Sequence, residues 1–325
     1  MSKRKKVAVL YGGQSGEHEI SVISASSVME NLDDAKYDIV PVFITKHGKW
    51  SISLEELRKF DVVFPVLHGP NGEDGTVQGL MTLLGVPFVG AGVVGSAVGM
   101  DKAIFKDVMR AHNLPVTKGV VVRVHEWSKN KQAIEKKVAE EIEFPCFVKP
   151  SNMGSSVGVS KCKNADTLCA GLEEAFKWDK KVLVEQAVTN PRELEVSVLG
   201  NDELQASVVG EIRPHREFYD YVAKYFAKGD EATDLIVPAN IPQPLSVLVR
   251  EVAVEVAQVC DIRGMARVDF LMDTTNNEVY VNEINTIPGF TEMSMYPRMW
   301  HASGLSYSEL LDRLIELAME GKING

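Results

Sequence analysis

The apolar positions of the chain fall into short runs closed by glycine-rich or polar turns, and these runs alternate with stretches of helical spacing. The first run, Val7-Ala8-Val9-Leu10-Tyr11, ends at Gly12-Gly13-Gln14-Ser15-Gly16, which predicts a strand over 7–11 and a loop over 12–16. A helix is predicted over 17–32, its buried face marked loosely by Ile20, Ile23, Val28 and Leu32. Strands are predicted over 39–44 and 61–67, then a helix over 76–84 and a strand over 86–89. Strands alternating with helices make a parallel sheet covered on both faces, with its ligand crevice at the carboxyl ends of the strands. The glycine-rich loops 12–16 and 68–75 both fall at such ends.

The repeated glycines of 90–99 read as a domain edge, and a helix follows over 101–112. A second unit of α+β type is predicted next, with strands over 119–124, 146–149, 157–161 and 182–185 and helices over 131–141 and 165–176. A third begins near 188, with strands over 194–199 and 205–211, a long polar segment over 213–238, a helix over 245–260 and a hairpin over 265–284. The fold class is α/β, passing to α+β in the central and C-terminal parts. The expected division is 1–95, a Rossmann-like parallel sheet, then 96–187 and 188–325.

Composition narrows the function. Apolar residues at 45% and charged residues at 25% are ordinary globular values. With 35 Lys and Arg against 45 Asp and Glu the net charge is −10, which excludes any overall attraction to a nucleic-acid backbone. The four cysteines form no C-x-x-C pair and no zinc spacing, so a reducing cytoplasm is expected. The basic start is followed by too short an apolar run for a signal peptide. Residues 75–100 carry no Asp, Glu, Lys or Arg, but seven glycines and a proline break the stretch, and no membrane span is expected.

The most informative chemistry lies in Arg267-Val268-Asp269-Phe270-Leu271 and Val281-Asn282-Glu283-Ile284-Asn285, joined by the turn formers of 273–277. A turn centred on Asn276 pairs Leu271 with Val281, Asp269 with Glu283 and Arg267 with Asn285, all on one face. Asp269 and Glu283 then oppose each other at roughly 5 Å, which destabilises a sheet unless something offsets it. A hard divalent cation would, with the amide oxygen of Asn285 as a third donor. Neutralisation by Arg267, or a register slip, is the alternative.

A second feature runs from Phe147-Val148-Lys149-Pro150 through Gly154-Ser155-Ser156-Val157-Gly158. A strand-closing lysine and a loop offering successive N–H groups and hydroxyls can wrap phosphate oxygens, although no Walker A pair is present and an ordinary surface turn is the alternative. The loop also matches G-x-S-x-G, but a serine hydrolase needs a helix directly after the serine, and a strand is predicted there. Glu17, at a helix start, complements the helix dipole or holds a substrate ammonium group. His68 ends a strand beside a loop, in a structural or a catalytic place. In 213–225 aromatic and charged residues interleave, as in a lid; the acidic net charge argues against a single-strand nucleic-acid surface.

Taken together, Gly12 to Ser21, His68-Gly69-Pro70-Asn71-Gly72-Glu73-Asp74-Gly75, Met100-Asp101-Lys102, Val148 to Gly158, Phe218-Tyr219-Asp220-Tyr221, Lys224-Tyr225, Arg267-Val268-Asp269 and Asn282 to Thr291 closely resemble the D-alanine–D-alanine ligases of the ATP-grasp superfamily. The resemblance covers 7–318, nearly the whole chain. It implies an ATP-grasp fold and a cytoplasmic homodimer acting on two molecules of D-alanine, without nucleic acid or membrane. It also implies ATP, two Mg²⁺ ions that Mn²⁺ can replace, and K⁺ as a further ion. Asp269, Glu283 and Asn285 are implied as metal ligands, and Lys102, Lys149, Ser156 and Lys224 as phosphate contacts. Glu185 is implied to meet adenine and Glu193 the ribose. The resemblance further implies that Glu17 takes the first D-alanine's ammonium and links through Ser155 to Tyr225 of the lid. By the same resemblance Arg267 and the N–H of Gly289 are implied to face the oxyanion, Ser294 to bind the second carboxylate, and His68 to lie near the reacting atoms. Val222 stands where many relatives carry Glu, a departure within the lid. Tyr225 matches the dipeptide-forming members, which favours D-alanine over D-lactate as second substrate.

Overall fold

The computed structural model of the chain describes residues 3–214 and 233–320. Val222, Lys224 and Tyr225 lie outside the described residues.

Among the described residues the strands build three sheets. The first is parallel, in the order β2-β1-β3, and consists of Lys5–Gly12 (β1), Tyr37–Ile44 (β2) and Val62–Pro65 (β3). Alternation along β1 sends Val7 and Val9 to one face, under helix His18–Asn31 and the C-terminal helix Tyr307–Glu320. Ala8 and Leu10 go to the other, with Val77 and Met81 of helix Thr76–Leu84. Burial on both faces is why these strands read as continuous apolar runs.

The second sheet is antiparallel, in the order β4-β7-β5-β6, from Gly119–Arg123 (β4), Cys146–Pro150 (β5), Ser160–Cys162 (β6) and Lys181–Gln186 (β7). Cys146, Val148, Val182 and Val184 pack under helices Lys131–Glu141 and Ala165–Ala175. Period two therefore turns Lys149 and Glu185 to the opposite face.

The third sheet, also antiparallel, has the order β10-β9-β8-β11-β12, from Pro191–Gly200 (β8), Gln205–Arg213 (β9), Asp234–Ile236 (β10), Gly264–Asp273 (β11) and Val279–Asn285 (β12). Leu194, Val196, Val268 and Phe270 pack under helix Gln243–Val259, and Phe105 and Met109 of helix Lys102–Ala111 join the same cluster. The other face of β8 and β11 carries Glu193, Glu195, Arg267 and Asp269.

Several predicted elements differ from those observed. Residues 90–99 are not a loop but mainly helix Val93–Met100. Its glycines serve packing: a Cβ at Gly99 would lie 3.2 Å from side-chain atoms of Ile284 and Thr286. The strand expected over 157–161 shrinks to β6, because Ser155, Ser156 and Gly158 at positive φ keep the chain turning. The strand expected over 86–89 is a single bridge from Phe88 to Val63. Ile23, expected in the core, is 56% exposed. The polar segment 213–238 contains β10 near its end, paired with β9.

The acid-bearing hairpin holds its predicted register at Arg267–Asn285 and Asp269–Glu283, then slips by one residue, so that Phe270, not Leu271, pairs with Val281. The extra residue, Asn282, makes a β-bulge. It lets Val281 and Ile284, three residues apart, both enter the core.

Candidate active site

The sheets converge on a cavity of about 400 Å³ whose lining includes Glu17, Lys102, Ser155, Arg267, Glu283 and Ser294. These six come from five separate stretches of chain, so the fold rather than local sequence assembles the site.

Glu17 is placed by the turn that follows β1. Gly12 makes that turn at φ +92°, where a Cβ would meet the carbonyl oxygen of Ile44 at 2.2 Å. Ser21, one helical turn after Glu17, accepts the Gly12 N–H at 2.8 Å and donates to the carbonyl of Val66. Glu17 caps helix His18–Asn31 without a side-chain capping bond, so its carboxylate is turned elsewhere. It accepts from the hydroxyl of Ser155, in the loop after β5. The same carboxylate is why Gly69 and Gly154 are bare: a Cβ at either would lie 2.7 or 3.3 Å from Oε2.

His68 is 5% exposed, with Nδ1 3.1 Å from the carbonyl oxygen of Ile287 and Nε2 3.3 Å from Ser24 Oγ. Burial holds its pKa below the usual histidine value against the opposing charge of Glu17. Glu73, in the same loop, accepts the Gly69 N–H at 2.7 Å, and burial together with Glu17 pushes its carboxyl well above the usual carboxylate range.

On the third sheet, Glu195, Asp269 and Glu283 stand in one row across β8, β11 and β12. Arg267 binds Asp269 with two bonds, Nε to Oδ1 and Nη2 to Oδ2, each 2.7 Å. Its Nε also lies 3.2 Å from Glu195 Oε2. Asn285 Nδ2 donates to Asp269 at 2.9 Å, and Lys102 Nζ lies 3.0 Å from Glu283 Oε2. Burial lowers the pKa of Arg267, but Asp269 and Glu195 override it and raise it well above its ordinary value. Lys102 is raised in the same way by Glu283. Cations thus offset the opposed acids, as the neutralisation reading expected, though two cations do it and not Arg267 alone.

The donor set still fits a hard divalent cation. Asp269 and Glu283 face each other across the hairpin, Asn285 bonds to Asp269, and Glu283 and Asn285 line the cavity beside Lys102 and Arg267, cations able to turn to phosphate oxygens. Among the described residues no three His, Cys, Asp or Glu side chains gather as a closed cage. Such a set suits an ion that takes its remaining ligands from a bound nucleotide.

On the second sheet Lys149 pairs with Glu185 Oε1, and Lys106 Nζ lies 3.3 Å from Glu185 Oε2. Thr117 donates to the same oxygen at 3.2 Å. Burial opposes ionisation of Glu185, yet the two lysines bring its pKa down to about 2. Ser156 lies in the loop after β5, half-buried, at φ +59°. Glu193 is half-buried on β8, two residues before Glu195 on the same face. Ser294 Oγ accepts the Thr291 N–H at 3.1 Å, and Gly289 leaves room beside it, since a Cβ there would lie 3.1 Å from that oxygen.

The predicted residues Glu17, His68, Lys102, Ser155, Arg267, Glu283, Asn285, Gly289 and Ser294 line one cavity. Asp269 stands behind Arg267, and Lys149 and Glu185 lie on the neighbouring sheet. Sequence reasoning missed Glu73, Glu195 and Lys106. Each had a signal: Glu73 sits inside a glycine loop, Glu195 is two residues from Glu193 on a strand, and Lys106 is one helical turn beyond Lys102.

Two antiparallel sheets that face a shared cleft with lysines on one and paired acids on the other, beside a parallel sheet, constitute the ATP-grasp architecture. Family models described as D-ala D-ala ligase N-terminus and C-terminus match residues 6–91, in two overlapping pieces, and 108–316. The chain belongs to the D-alanine–D-alanine ligase family. It is 47% identical to the D-alanine–D-alanine ligase of Clostridium acetobutylicum over 97% of this chain and 98% of that one. It is 49% identical to that of Clostridium novyi, over 98% of both. Among solved structures, the D-alanine–D-alanine ligase from Coxiella burnetii superposes with a TM-score of 0.85 at 35% identity, over 98% of this chain and 95% of that one. The D-Ala:D-Ser ligase VanG from Enterococcus faecalis gives 0.86 at 36%, over 97% and 100%.

Proposed function

We propose that the chain joins two D-alanines into D-alanyl-D-alanine at the expense of ATP, the dipeptide serving peptidoglycan precursor synthesis. The observation that carries this reading is the meeting, in one cavity, of Glu17 and Ser155 with Arg267, Glu283 and Ser294. The ammonium of the first D-alanine is held by Glu17, whose carboxylate Ser155 orients. The carboxylate oxygen of that D-alanine attacks the γ-phosphorus of ATP, the bond to the β-phosphate oxygen breaks, and ADP leaves. The second D-alanine, its carboxylate held by Ser294 and its amine freed of a proton, then attacks the carbonyl carbon of the acyl phosphate. The tetrahedral intermediate expels inorganic phosphate together with the oxygen that carried it.

Transfer between anions needs positioning and charge neutralisation above all. Lys102, Lys149, Ser156 and Lys224 supply these at the phosphates, Glu185 and Glu193 position the nucleoside, and Arg267 with the Gly289 N–H stabilises the oxyanion. Asp269, Glu283 and Asn285 would hold divalent cation, two Mg²⁺ or Mn²⁺ ions, which would neutralise charge on the transferring phosphoryl group. K⁺ is a further ion of the reading. By the family resemblance Tyr225 is the residue that would fasten a lid through Ser155 and keep water from the acyl phosphate, although it lies outside the described residues. His68, whose pKa burial lowers, borders the reacting atoms in the same cavity. The division placed at 95 falls within helix Val93–Met100, whereas that at 187 lies between β7 and β8, and the enzyme acts as a cytoplasmic homodimer.

The test is D-alanine-dependent ADP release with chromatographic detection of the dipeptide. ADP without dipeptide, or none on adding D-alanine, would remove the assignment. Competition among D-alanine, D-serine and D-lactate decides the second substrate, with D-alanine expected to dominate at neutral pH.

A further inference from the structure

Lys106 is 2% exposed and has no part in the mechanism above, yet it touches both halves of the cleft. Its Nζ donates to the carbonyl oxygen of Val281 at 2.9 Å and lies 3.3 Å from Glu185 Oε2. The other oxygen of Glu185 pairs with Lys149, and Lys149 Nζ reaches Asn282 Oδ1 at 3.5 Å. Since Val281 and Asn282 are consecutive, these contacts close a ring.

The ring sits at the bulge of the acid-bearing hairpin, on β12, the last strand of its sheet. On this outer edge the N–H of Val281 goes to the carbonyl of Pro115 at 2.7 Å, and its C=O goes to Lys106. Buried backbone groups on a sheet edge need partners, and here the segment preceding the second sheet supplies both. Glu283 follows Val281 by two residues, so whatever fixes the bulge fixes Glu283.

We propose that Lys106 is a positioning residue that pins the bulge of β12 to the Glu185–Lys149 pair and so sets Glu283 against the phosphate lysines. The assignment rests on the ligase reading, in which Glu283 and Lys149 serve one metal–nucleotide complex. Outer residues that orient metal ligands commonly change metal affinity by about tenfold to a hundredfold when replaced.

The test titrates Mn²⁺ into the full-length protein with ADP present, reading free Mn²⁺ by electron paramagnetic resonance. Wild-type protein that binds no Mn²⁺ with ADP would sink the ligase reading itself. With wild-type binding present, Lys106→Met is expected to bind Mn²⁺ about tenfold more weakly, while its KM for D-alanine at saturating MgATP stays within about twofold of wild type. Lys106→Gln keeps a donor for Val281 and is expected to recover most of the lost affinity. A purely structural lysine would lower the melting temperature of the Met variant without separating Met from Gln in the titration. Wild-type affinity in Lys106→Met, or equal weakness in the Gln variant, overturns the assignment. Because the Met variant leaves Glu185 one partner short, Lys106→Met/Glu185→Gln is also compared with Glu185→Gln alone. The same loss is expected there, and no difference between the two overturns the assignment as well.

Discussion

Replacing Glu283 by Gln tests the chemistry with little disturbance of the fold. Glu283 and its partner Lys102 lie 3.0 Å apart, with side chains 23% and 16% exposed. A partly buried pair lies between the about 1 kcal/mol of an exposed one and the about 3 kcal/mol lost on breaking a buried one, so the melting temperature should fall by several degrees, at about 2–4 °C per kcal/mol. Turnover is another matter, because the amide removes the negative charge that the metal reading requires. Loss of a metal's charge neutralisation costs several kcal/mol of transition-state stabilisation, and about 4 kcal/mol corresponds to about a thousandfold in rate. The assay is ADP release coupled to NADH oxidation at saturating D-alanine and MgATP, with melting followed by circular dichroism on the same preparation. A kcat within about tenfold of wild type, in a variant that melts normally, would refute the role given to Glu283.

Three further outcomes are expected. Gly12→Ala forces a Cβ to within 2.2 Å of the Ile44 carbonyl at φ +92° and should cost about 3 kcal/mol or more, read by urea denaturation; a change below about 1 kcal/mol would contradict the account of the turn. Glu185 ionises at about 2 in the fold against 4.5 in an ordinary site, so its contribution is complete above pH 4.5 and fades as pH falls from there towards 2. Glu185→Gln should therefore be less stable at pH 7, by about 3 kcal/mol, and lose less stability on acidification than wild type; parallel pH profiles would contradict this. Ser155→Ala removes the donor to Glu17 and should raise the KM for D-alanine about tenfold with a smaller change in that for ATP, whereas unchanged steady-state constants would detach Ser155 from the amino-acid site.

Much of this site was legible because its elements obey short-range rules. Strand alternation alone placed Arg267, Asp269, Glu283 and Asn285 on one face, and the turn formers of 273–277 set the register at those pairs. The same rule failed one step further along, at Leu271 and Val281, because a bulge obeys no periodicity: Asn282 is squeezed out where Val281 and Ile284 must both reach the core. Glycines misled in 90–99, where helix Val93–Met100 uses Gly99 to approach Ile284 rather than to turn. Ile23 fits the helical spacing but faces outward beside the cavity, since a helix bordering a substrate site need not bury its whole apolar face. Lys106, Glu195 and Glu73 stayed unread because their meaning lies in partners distant in sequence. Val281 is 175 residues from Lys106.

D-alanine labelled with ¹⁸O in both carboxylate oxygens shows whether a carboxylate oxygen of the first D-alanine attacks ATP. One turnover should deliver a single ¹⁸O into the released inorganic phosphate, seen by mass spectrometry or by the isotope shift of its ³¹P resonance. Dipeptide formed alongside unlabelled phosphate would contradict the acyl-phosphate route and the roles assigned to the residues around it.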